Sequence, residues 1–475
     1  MPLMQGLLFL LVCYDRKKYG GIPLKIHKFR QNGYNIVLDI NSGAVHVTDE
    51  LIYDLLDVFT GDNDEQAIAA LQDKYDRVDL EEGLDDLYEL MDRQELFAPD
   101  LNVPLTLKNK PLVKSLCLHV AHDCNLRCRY CFAGTGDFGH DRGLMPIEIG
   151  KKAVDFIIEN SGHRKHCELD FFGGEPLMNM ETVRAVTEYV HQREAETGKI
   201  FKLTLTTNGL GLTEEIEKFL NDENISLVLS LDGRKEVHDN MRPMISGKGS
   251  YDSVVRNMKR AVASRNNQNY YLRGTFTSYN LDFAADVLSM LDEGFDQLSV
   301  EPVVAKDAPY ELKEEHLPKL FEEYDKLAKV YLDKELSGEG FTFFHFNLDL
   351  NNGPCVAKRL MGCGAGHEYF AVTPDGDLYP CHQFVGREQY RIGSLDEGIV
   401  REDLVSSFRN AHVLNKPKCT DCWARFYCSG GCHANADQFH GDIHQPYEIG
   451  CELQKKRLEC AIMIQAVLLM NQQKI

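Results

Sequence analysis

The spacing of apolar residues changes along the chain and predicts three structural zones. In the first, residues 25–100, three short runs are predicted to form β-strands. Asn32-Gly33 supplies a turn between the first two runs, and a break at 41–43 precedes the third. Segments with helical spacing follow, so we predict a small sheet and then three helices. The strands are expected at 26–30, 34–39 and 44–47, and the helices at 49–59, 64–74 and 81–94.

Residues 112–340 form the second zone, in which apolar strand runs alternate with amphipathic helices. Six such β–α units predict an α/β fold with a parallel sheet and right-handed crossovers, curled into a partial (β/α)6 barrel of the TIM type. In such barrels the chemistry lies at the carboxyl ends of the strands. The strands are expected at 116–121, 168–172, 202–207, 226–231, 271–277 and 297–303. The helices are expected at 147–160, 180–196, 214–221, 251–263, 283–292 and 313–336.

Residues 341–455 form the third zone, which has few long periodic segments and many cysteines. Nine of the 15 cysteines lie beyond residue 341. A region with little core and much cysteine is usually held together by metals, so we expect a metal-stabilised domain here. We expect residues 456–475 to form a separate C-terminal helix, and we assign residues 1–24 no role.

Composition and charge narrow the possible functions. With 475 residues, of which 43% are hydrophobic and 26% charged, the chain predicts two or three globular domains. A net charge of -21 disfavours non-specific binding to nucleic acids. The apolar run 7–13 lacks a basic flank and a small-residue cleavage site, and no later run is long enough to span a membrane. We therefore expect a cytoplasmic protein whose reduced thiols bind metals.

Three cysteines, Cys124, Cys128 and Cys131, lie in the loop after the first predicted barrel strand, with the spacing C-x3-C-x2-C. Three thiolates can ligate three irons of a [4Fe–4S] cluster and leave the fourth iron open. An open iron can chelate S-adenosylmethionine (SAM), and an electron delivered there can release a 5′-deoxyadenosyl radical. A zinc loop is the alternative, but zinc sites usually carry four ligands in two pairs. The motif resembles the radical SAM superfamily, which makes these three, the starter cysteines, the predicted catalytic centre.

That resemblance implies cofactor contacts at the ends of the later strands. Gly173 and Gly174 let the backbone approach the cofactor, and Glu175 is expected to accept a hydrogen bond from the methionine ammonium. Tyr130 is expected to stack on adenine. Arg242 is expected to pair with the cofactor carboxylate, with an ordinary surface arginine as the alternative. The predicted cofactor-binding residues are Tyr130, Phe132, Gly173, Gly174, Glu175, Asn208, Ser230, Asp232 and Arg242, with Thr206 and Thr207 beside Asn208.

Seven cysteines in the third zone, hereafter the auxiliary cysteines, resemble the pattern of the SPASM domain, a module that binds auxiliary iron–sulfur clusters. Two structural zinc ions are the alternative. The resemblance implies one cluster on Cys363, Cys381 and Cys432, and a second on Cys419, Cys422, Cys428 and Cys451. The first has only three thiolates from the motif, so its fourth iron is either open or held by another group, for which Cys355 and a substrate thiolate are the candidates. The expected cofactors are therefore SAM and three [4Fe–4S] clusters.

The residue after the second auxiliary cysteine bears on the reaction. Sulfatase maturases, which also carry a SPASM domain, have an Asp directly after that cysteine as a base. This chain has His382 after Cys381, which argues against that activity. His382 as a base and His382 as a hydrogen-bond partner beside a cluster both stay open.

The first zone has the strands-then-helices pattern of a winged helix and resembles the RiPP recognition element, which captures the leader of a precursor peptide by strand addition. A winged helix that contacts nucleic acid is the alternative, and the acidic residues of 49–100 disfavour it. Together the modules resemble thioether-forming maturases of sactipeptides and ranthipeptides. Residues 26–452 most resemble maturases of the cysteine-rich SCIFF peptides, a likeness carried by 127–139 and 41–47.

The resemblance implies an oxidoreductase that joins a cysteine sulfur to a carbon, with threonine the usual acceptor, inside a ribosomally made peptide. The expected partners are the precursor peptide and an electron donor such as flavodoxin or ferredoxin, with no nucleic acid and no membrane. One alternative is another SPASM-type modifier that forms carbon–carbon cross-links or epimerises residues. A second is a cluster-binding regulator that reads DNA with the first zone, which the cofactor motifs disfavour.

Overall fold

The structure is a computed structural model that describes residues 25–100, 112–350 and 360–472. The chain divides into two compact units. The first comprises the described parts of Met1–Pro104, Leu348–Cys355 and Ile462–Ile475, and the second those of Leu105–Asn347 and Val356–Ala461. The predicted extension 1–24 and the candidate ligand Cys355 lie outside the described residues.

The first unit contains the predicted sheet and helices. The strands are β1 (Ile26–Gln31), β2 (Tyr34–Asp39) and β3 (Val45–Thr48), and the helices are α1 (Glu50–Val58), α2 (Asp64–Leu71) and α3 (Arg77–Asp92). The sheet is antiparallel with the order β1-β2-β3, so β1 and β3 are its edges. Asp49 caps α1 by accepting a hydrogen bond from the backbone N–H of Ile52. Leu55, Leu80 and Leu87 pack in the core between the helices.

The second unit contains the predicted partial barrel. Its strands are β4 (Ser115–Ala121), β5 (His166–Gly173), β6 (Ile200–Thr207), β7 (Ser226–Ser230), β8 (Tyr270–Phe276) and β9 (Gln297–Pro302). They are parallel and pair in chain order, which confirms the predicted α/β fold. The helices are α4 (Ile147–Asn160), α5 (Met180–Thr197), α6 (Glu214–Asp222), α7 (Lys235–Met241), α8 (Tyr251–Ser264), α9 (Phe283–Asp292) and α10 (Leu317–Ser337). Only the short helix α7 was not predicted.

Further strands extend this sheet at both ends. β10 (Thr342–Phe343) pairs with β9, and β11 (Tyr369–Val372) pairs in parallel with β4. Beyond β11 lie β12 (Asp377–Tyr379), β13 (Gly393–Ser394) and β14 (Gly398–Ile399). The cysteine-rich region is therefore joined by backbone hydrogen bonds to the first barrel strand, next to the loop that carries the starter cysteines.

The last helices of the chain are α11 (Glu402–Asn410), α12 (Arg425–Cys428), α13 (His433–His440) and α14 (Glu448–Gln472). The predicted start of the C-terminal helix at 456 is wrong, because α14 already begins at Glu448. Pro446 disfavours an earlier start. Cys451 consequently lies in the first turn of a long helix. None of the helices in the described ranges is both long and apolar enough to cross a membrane.

The cysteine-rich region has a hydrophobic core, contrary to the expectation of little core there. Tyr379, Phe384 and Phe408 are fully buried and pack with Cys117 of β4 and Phe138 from the loop after β4. Burial of aromatic side chains of this size stabilises a fold by roughly 1.5–3 kcal/mol each. Apolar packing therefore fixes this region against the barrel.

Candidate active site

A cavity of about 560 Å³ lies at the carboxyl ends of the barrel strands. The starter cysteines line one part of its wall. Cys428, Cys432 and Cys451, three of the auxiliary cysteines, line another part. The structure thus brings to one cavity two cysteine sets that lie about three hundred residues apart in the sequence.

The loop of the starter cysteines is held in shape by short-range contacts. The N–H of Cys131 donates to the carbonyl of Cys128 at 3.2 Å, and the N–H of Cys124 donates to the carboxylate of Asp123 at 2.8 Å. Gly136 has a φ of +97°, and a Cβ there would lie 2.7 Å from the Cβ of Cys124. Glycine is therefore required at 136 for the loop to close around its cysteines.

The starter cysteines fit a metal cluster better than they fit free nucleophiles. Burial raises the pKa of the Cys124 thiol to about 12 and that of the Cys128 thiol to about 11. Burial also raises the pKa of Cys131. Thiols with such pKa values are inert at neutral pH until a coordinated metal deprotonates them.

The two glycines after β5 lock that strand to the starter loop. A Cβ at Gly173 would lie 2.3 Å from the carbonyl oxygen of Ala121, and one at Gly174 would lie 2.2 Å from that of Asp123. The N–H of Gly174 donates to Ala121 at 2.8 Å, and the N–H of Glu175 donates to Asp123 at 2.9 Å. Only glycine permits this approach, which leaves backbone groups at the cavity wall.

Glu175 lies behind the cavity wall. Its buried carboxylate accepts hydrogen bonds from the N–H of Leu177 (3.0 Å), the hydroxyl of Thr207 (2.7 Å) and the N–H of Asn208 (2.9 Å). Burial raises the pKa of Glu175 to about 7, while these donors lower it. Glu175 therefore ties the end of β5 to the end of β6. Its contact with the methionine ammonium stays a prediction.

Three other predicted cofactor residues form one buried network. Asp232 accepts a hydrogen bond from the Tyr130 hydroxyl at 2.6 Å and one from the N–H of Thr275 at 3.0 Å. The Arg242 Nε lies 3.0 Å from the same carboxylate, and its guanidinium lies 5.3 Å from the centre of the Tyr130 ring. Arg242 is only 9% exposed, so the surface-arginine alternative is wrong. Its pairing with a cofactor carboxylate stays a prediction.

The cavity brings together most of the predicted cofactor set. Tyr130 and Arg242 face it, while Asp232 and Glu175 do not. The Asn208 side chain donates to that of Asn125 at 2.8 Å, beside the starter loop. The predicted residues that line the cavity are Tyr130, Phe132, Gly173, Gly174, Thr206, Thr207, Asn208, Ser230 and Arg242.

The auxiliary cysteines lie in two groups. Burial and then the Cys432 and Cys363 thiols raise the pKa of Cys381, so these three are close neighbours. Burial and then three other thiols raise the pKa of Cys451 to about 12. Those three thiols belong to Cys428, Cys419 and Cys422. The groups match the ligand sets that the SPASM resemblance implies, and the assignment of clusters to them stays a prediction.

Backbone donors surround the auxiliary sulfurs as they would surround cluster thiolates. Burial raises the pKa of the Cys432 thiol, and the N–H groups of Asn435 and Ala434, in the first turn of α13, lower it. Hydrogen bonds to sulfur are one means by which a protein stabilises and tunes an iron–sulfur cluster. Within the described ranges, no three His, Cys, Asp or Glu side chains converge on a position for one metal ion. A [4Fe–4S] cluster does not require such a position, because it takes one thiolate on each iron.

His382 lines the cavity near the starter loop. Its Nδ1 lies 3.1 Å from the Tyr369 hydroxyl, and its ring centre lies 5.0 Å from that of Phe172 and 5.4 Å from that of Phe132. Burial, and then the charge of Arg273, lowers the pKa of His382 to about 4. The imidazole is therefore neutral at neutral pH, and burial makes it a weaker base than an exposed histidine.

Comparison with known proteins agrees with this geometry. Residues 118–280 match the Radical SAM superfamily, and residues 363–423 match SPASM, an iron–sulfur cluster-binding domain. The chain carries a radical SAM domain and a SPASM domain. The starter loop, Gly173 and Gly174 lie within the first match, and four of the seven auxiliary cysteines lie within the second.

This radical SAM and SPASM chain is related to the anaerobic sulfatase-maturating enzymes. It is 26% identical over 339 residues to the cysteine-type anaerobic sulfatase-maturating enzyme of Clostridium novyi, over 66% of this chain and 86% of that one. It is 24% identical over 366 residues to the radical SAM cyclopropyl synthase TigE of Paramaledivibacter caminithermalis, over 72% of each. The solved structure of native anSMEcpe with bound AdoMet superposes with a TM-score of 0.63 at 22% identity, over 75% of this chain and 99% of that one. That likeness supports the fold.

Sequence reasoning missed the charged residues deeper in the cavity. Glu301 of β9 pairs with Arg457 of α14 at 2.9 Å and lies 3.4 Å from His345. Although burial opposes it, the charges of His345, Arg457 and Arg273 lower the pKa of Glu301 to about 2. A signal for two of these residues was present in the sequence: Arg273 and Glu301 are charged residues within the otherwise uncharged strands β8 and β9. The sequence around Arg457 gives no sign that this residue lines the cavity.

Proposed function

We propose that this chain forms intramolecular thioether cross-links, from a cysteine sulfur to a carbon of threonine, in a ribosomally made, cysteine-rich SCIFF precursor peptide. The observation that carries the proposal is the single cavity bordered by both the starter and the auxiliary cysteines. Thioether formation removes one hydrogen atom, one proton and one electron from the peptide. A peptide in this cavity would lie between a radical source, which can remove the hydrogen atom, and an electron acceptor, which can remove the electron.

The groups that bind to these residues supply the redox chemistry: SAM cleaved at the starter cysteines supplies the 5′-deoxyadenosyl radical that takes the hydrogen atom, and an auxiliary cluster takes the electron. The protein's own residues hold the reactants. Gly173, Gly174 and Tyr130 form the wall where SAM is expected. His382 offers a neutral imidazole in the same cavity as a relay for the thiol proton on its way to solvent.

The residue after Cys381 supports this reaction over sulfatase maturation. Sulfatase maturases carry an Asp at that position, whereas this chain presents His382 to the cavity. The relatives include a sulfatase-maturating enzyme and a cyclopropyl synthase at almost equal identity. Overall likeness therefore supports a peptide- or protein-modifying radical SAM enzyme, and the proposal for the thioether rests on the cavity and its residues.

The first unit supports a role in substrate capture. Its three-stranded sheet has two edge strands, β1 and β3, within the described chain. An edge strand can bind an extended peptide through main-chain hydrogen bonds. We propose that this unit binds the leader of the precursor peptide, and that flavodoxin or ferredoxin delivers the electron that cleaves SAM.

The test is anaerobic incubation of the cluster-reconstituted protein with SAM, a reductant and a cysteine-rich precursor peptide. We expect the peptide to lose two hydrogens for each cross-link, and one alkylatable thiol to disappear with each loss. Mass spectrometry before and after alkylation measures both. A variant with Ala at all three starter cysteines is the control and should leave the peptide unchanged.

Other products have different signatures in the same experiment. Carbon–carbon bond formation loses two hydrogens but leaves every thiol open to alkylation, and epimerisation leaves the mass unchanged. Either result would overturn the thioether proposal and retain a SPASM-type peptide modifier. SAM cleavage without any change in a cognate peptide would overturn both.

A further inference from the structure

Lys416 is a fully buried lysine in the SPASM domain, and its side chain is 0% exposed. Its Nζ donates a hydrogen bond to the carbonyl of Gly430 at 2.8 Å. Within the parts of the chain that the structure describes, no carboxylate lies within ion-pair distance of this ammonium. A buried ammonium without a counter-charge is unfavourable by several kcal/mol, so Lys416 needs an anion nearby to stay charged.

The groups around Lys416 leave one source of negative charge. The ionisable side chains that interact electrostatically with Lys416 include the imidazoles of His412 and His433 and four cysteine thiols. An imidazole is neutral or positive, so neither histidine balances an ammonium. The four cysteines are Cys419, Cys428, Cys432 and Cys451. Protonated thiols are neutral too, and therefore only thiolates held in clusters supply the missing charge.

The position of Lys416 connects both groups of auxiliary cysteines. Its carbonyl accepts a hydrogen bond from the N–H of Cys419 at 2.8 Å. Its ammonium reaches Gly430, which lies in the turn between Cys428 of one group and Cys432 of the other. Gly430 has a φ of +86°, and a Cβ there would lie 3.6 Å from the Nζ. The positive φ favours glycine in this turn, and the ammonium lies close to the backbone between the two ligands.

We infer that Lys416 is a positioning residue for the two auxiliary clusters, whose ammonium is their shared buried counter-charge and makes them easier to reduce. A cation fixed beside a cluster favours the state with one more electron, because net charge and burial set cluster potentials. An easier reduction suits clusters that accept the electron left by the proposed cross-link. The inference rests on the two auxiliary clusters and is independent of which peptide bond is formed.

The test compares three variants in the reconstituted full-length chain, each without the starter cysteines so that only the auxiliary clusters are observed. Lys416→Met keeps the length of the side chain and removes the charge, and Lys416→Arg keeps the charge. Lys418→Met is the matched control, because Lys418 is 59% exposed and pairs with Glu448 on the surface. Iron and sulfide content, and a redox titration followed by electron paramagnetic resonance, are the measurements.

We expect Lys416→Met to lower the reduction equilibrium constant of at least one auxiliary cluster about tenfold, which is ~59 mV for one electron. Lys416→Arg and Lys418→Met should stay near the parent value. A Lys416→Met variant with full iron content and the parent potentials would overturn the inference.

If Lys416→Met loses iron, the Lys416→Arg variant shows whether the charge or the packing of the side chain is responsible. If Lys416→Arg retains its iron, the charge is what the clusters require, and the inference stands. If both variants lose iron, Lys416 has only a packing role and the inference fails. No peptide substrate is used, so these outcomes do not depend on the proposed cross-linking reaction.

Discussion

At the scale of single residues, two buried carboxylates organise the wall of the cavity. Asp232 holds Tyr130 and Arg242, and Glu175 holds Thr207 and the backbone of Asn208. Neither carboxylate lines the cavity. Motif reasoning predicts that both contact SAM, and the structure shows in addition that they position residues that face the cavity.

The ionisation of Glu175 predicts a pH dependence of SAM binding. Burial raises its pKa to about 7, so in the absence of SAM the carboxyl is increasingly protonated as the pH falls below 7. The protonated form is a poor acceptor for the methionine ammonium, and SAM affinity should fall by up to about tenfold for each pH unit below the pKa. Equilibrium binding of SAM to the reconstituted protein between pH 6 and pH 8 measures this.

Glu175→Gln should bind SAM more weakly and remove the pH dependence that Glu175 contributes. Glu181→Gln, a change at an exposed glutamate six residues further along the chain, should leave the SAM affinity and its pH dependence unaltered. If SAM affinity changes with pH in Glu175→Gln as it does in the parent protein, the predicted contact between Glu175 and the methionine ammonium is wrong.

At the scale of elements, the outer edge of β3 is prepared for strand addition. The N–H of Asp39 donates to the carbonyl of Ala44 at 2.9 Å, which marks these two residues as a hydrogen-bonded pair. Pairs alternate along an antiparallel ladder, and Val45 and Val47 occupy the intervening positions opposite Leu38 and Ile36. Their backbone N–H and C=O groups therefore point away from β2.

A proline at this edge should block capture of the leader peptide. Val47→Pro removes one outward N–H without breaking a bond to β2, so binding of a leader peptide should weaken by about tenfold or more. Val47→Ala keeps the N–H and should bind almost normally. Fluorescence anisotropy with a labelled leader measures both, and SAM cleavage without peptide should be unaffected. Equal binding by the two variants would exclude strand addition at β3.

At the scale of the molecule, the radical SAM and SPASM domains form one unit around the cavity. β11 continues the barrel sheet beside β4, and a shared apolar core packs behind the starter loop. Backbone pairing and apolar packing thus hold the starter and auxiliary cysteines relative to each other. Replacing the cysteines of one site should therefore remove the cluster of that site and leave the other clusters in place.

Iron content tests that independence. Three [4Fe–4S] clusters require about twelve irons per chain. Replacing Cys419 and Cys422 with Ala should remove about four of them and retain SAM cleavage, because the starter cysteines are intact. Cys460→Ala is the control, because this buried cysteine belongs to no predicted cluster. Loss of SAM cleavage together with the iron of the Cys419 group would show that the sites are coupled.

The sequence by itself predicted the strands and helices of the first unit, most of those of the barrel, and the chemical type of the site. Apolar periodicity located the six barrel strands within about two residues, because alternation and helical spacing are local consequences of which face is buried. The spacing of the starter cysteines indicated a cluster with one open iron, because a single short loop supplies all three thiolates. The start of α14 was missed, since the segment around Cys451 carries weak periodicity.

Only the tertiary structure decided how distant residues meet. Tyr130 and Asp232 are hydrogen-bonded across 102 positions, and Arg457 pairs with Glu301 across 156. No local pattern encodes such pairs, because they depend on how the strands and the last helix pack. The same holds for Lys416: its sequence context is that of an ordinary surface lysine, and only its complete burial between two groups of cysteines shows that it needs their negative charge.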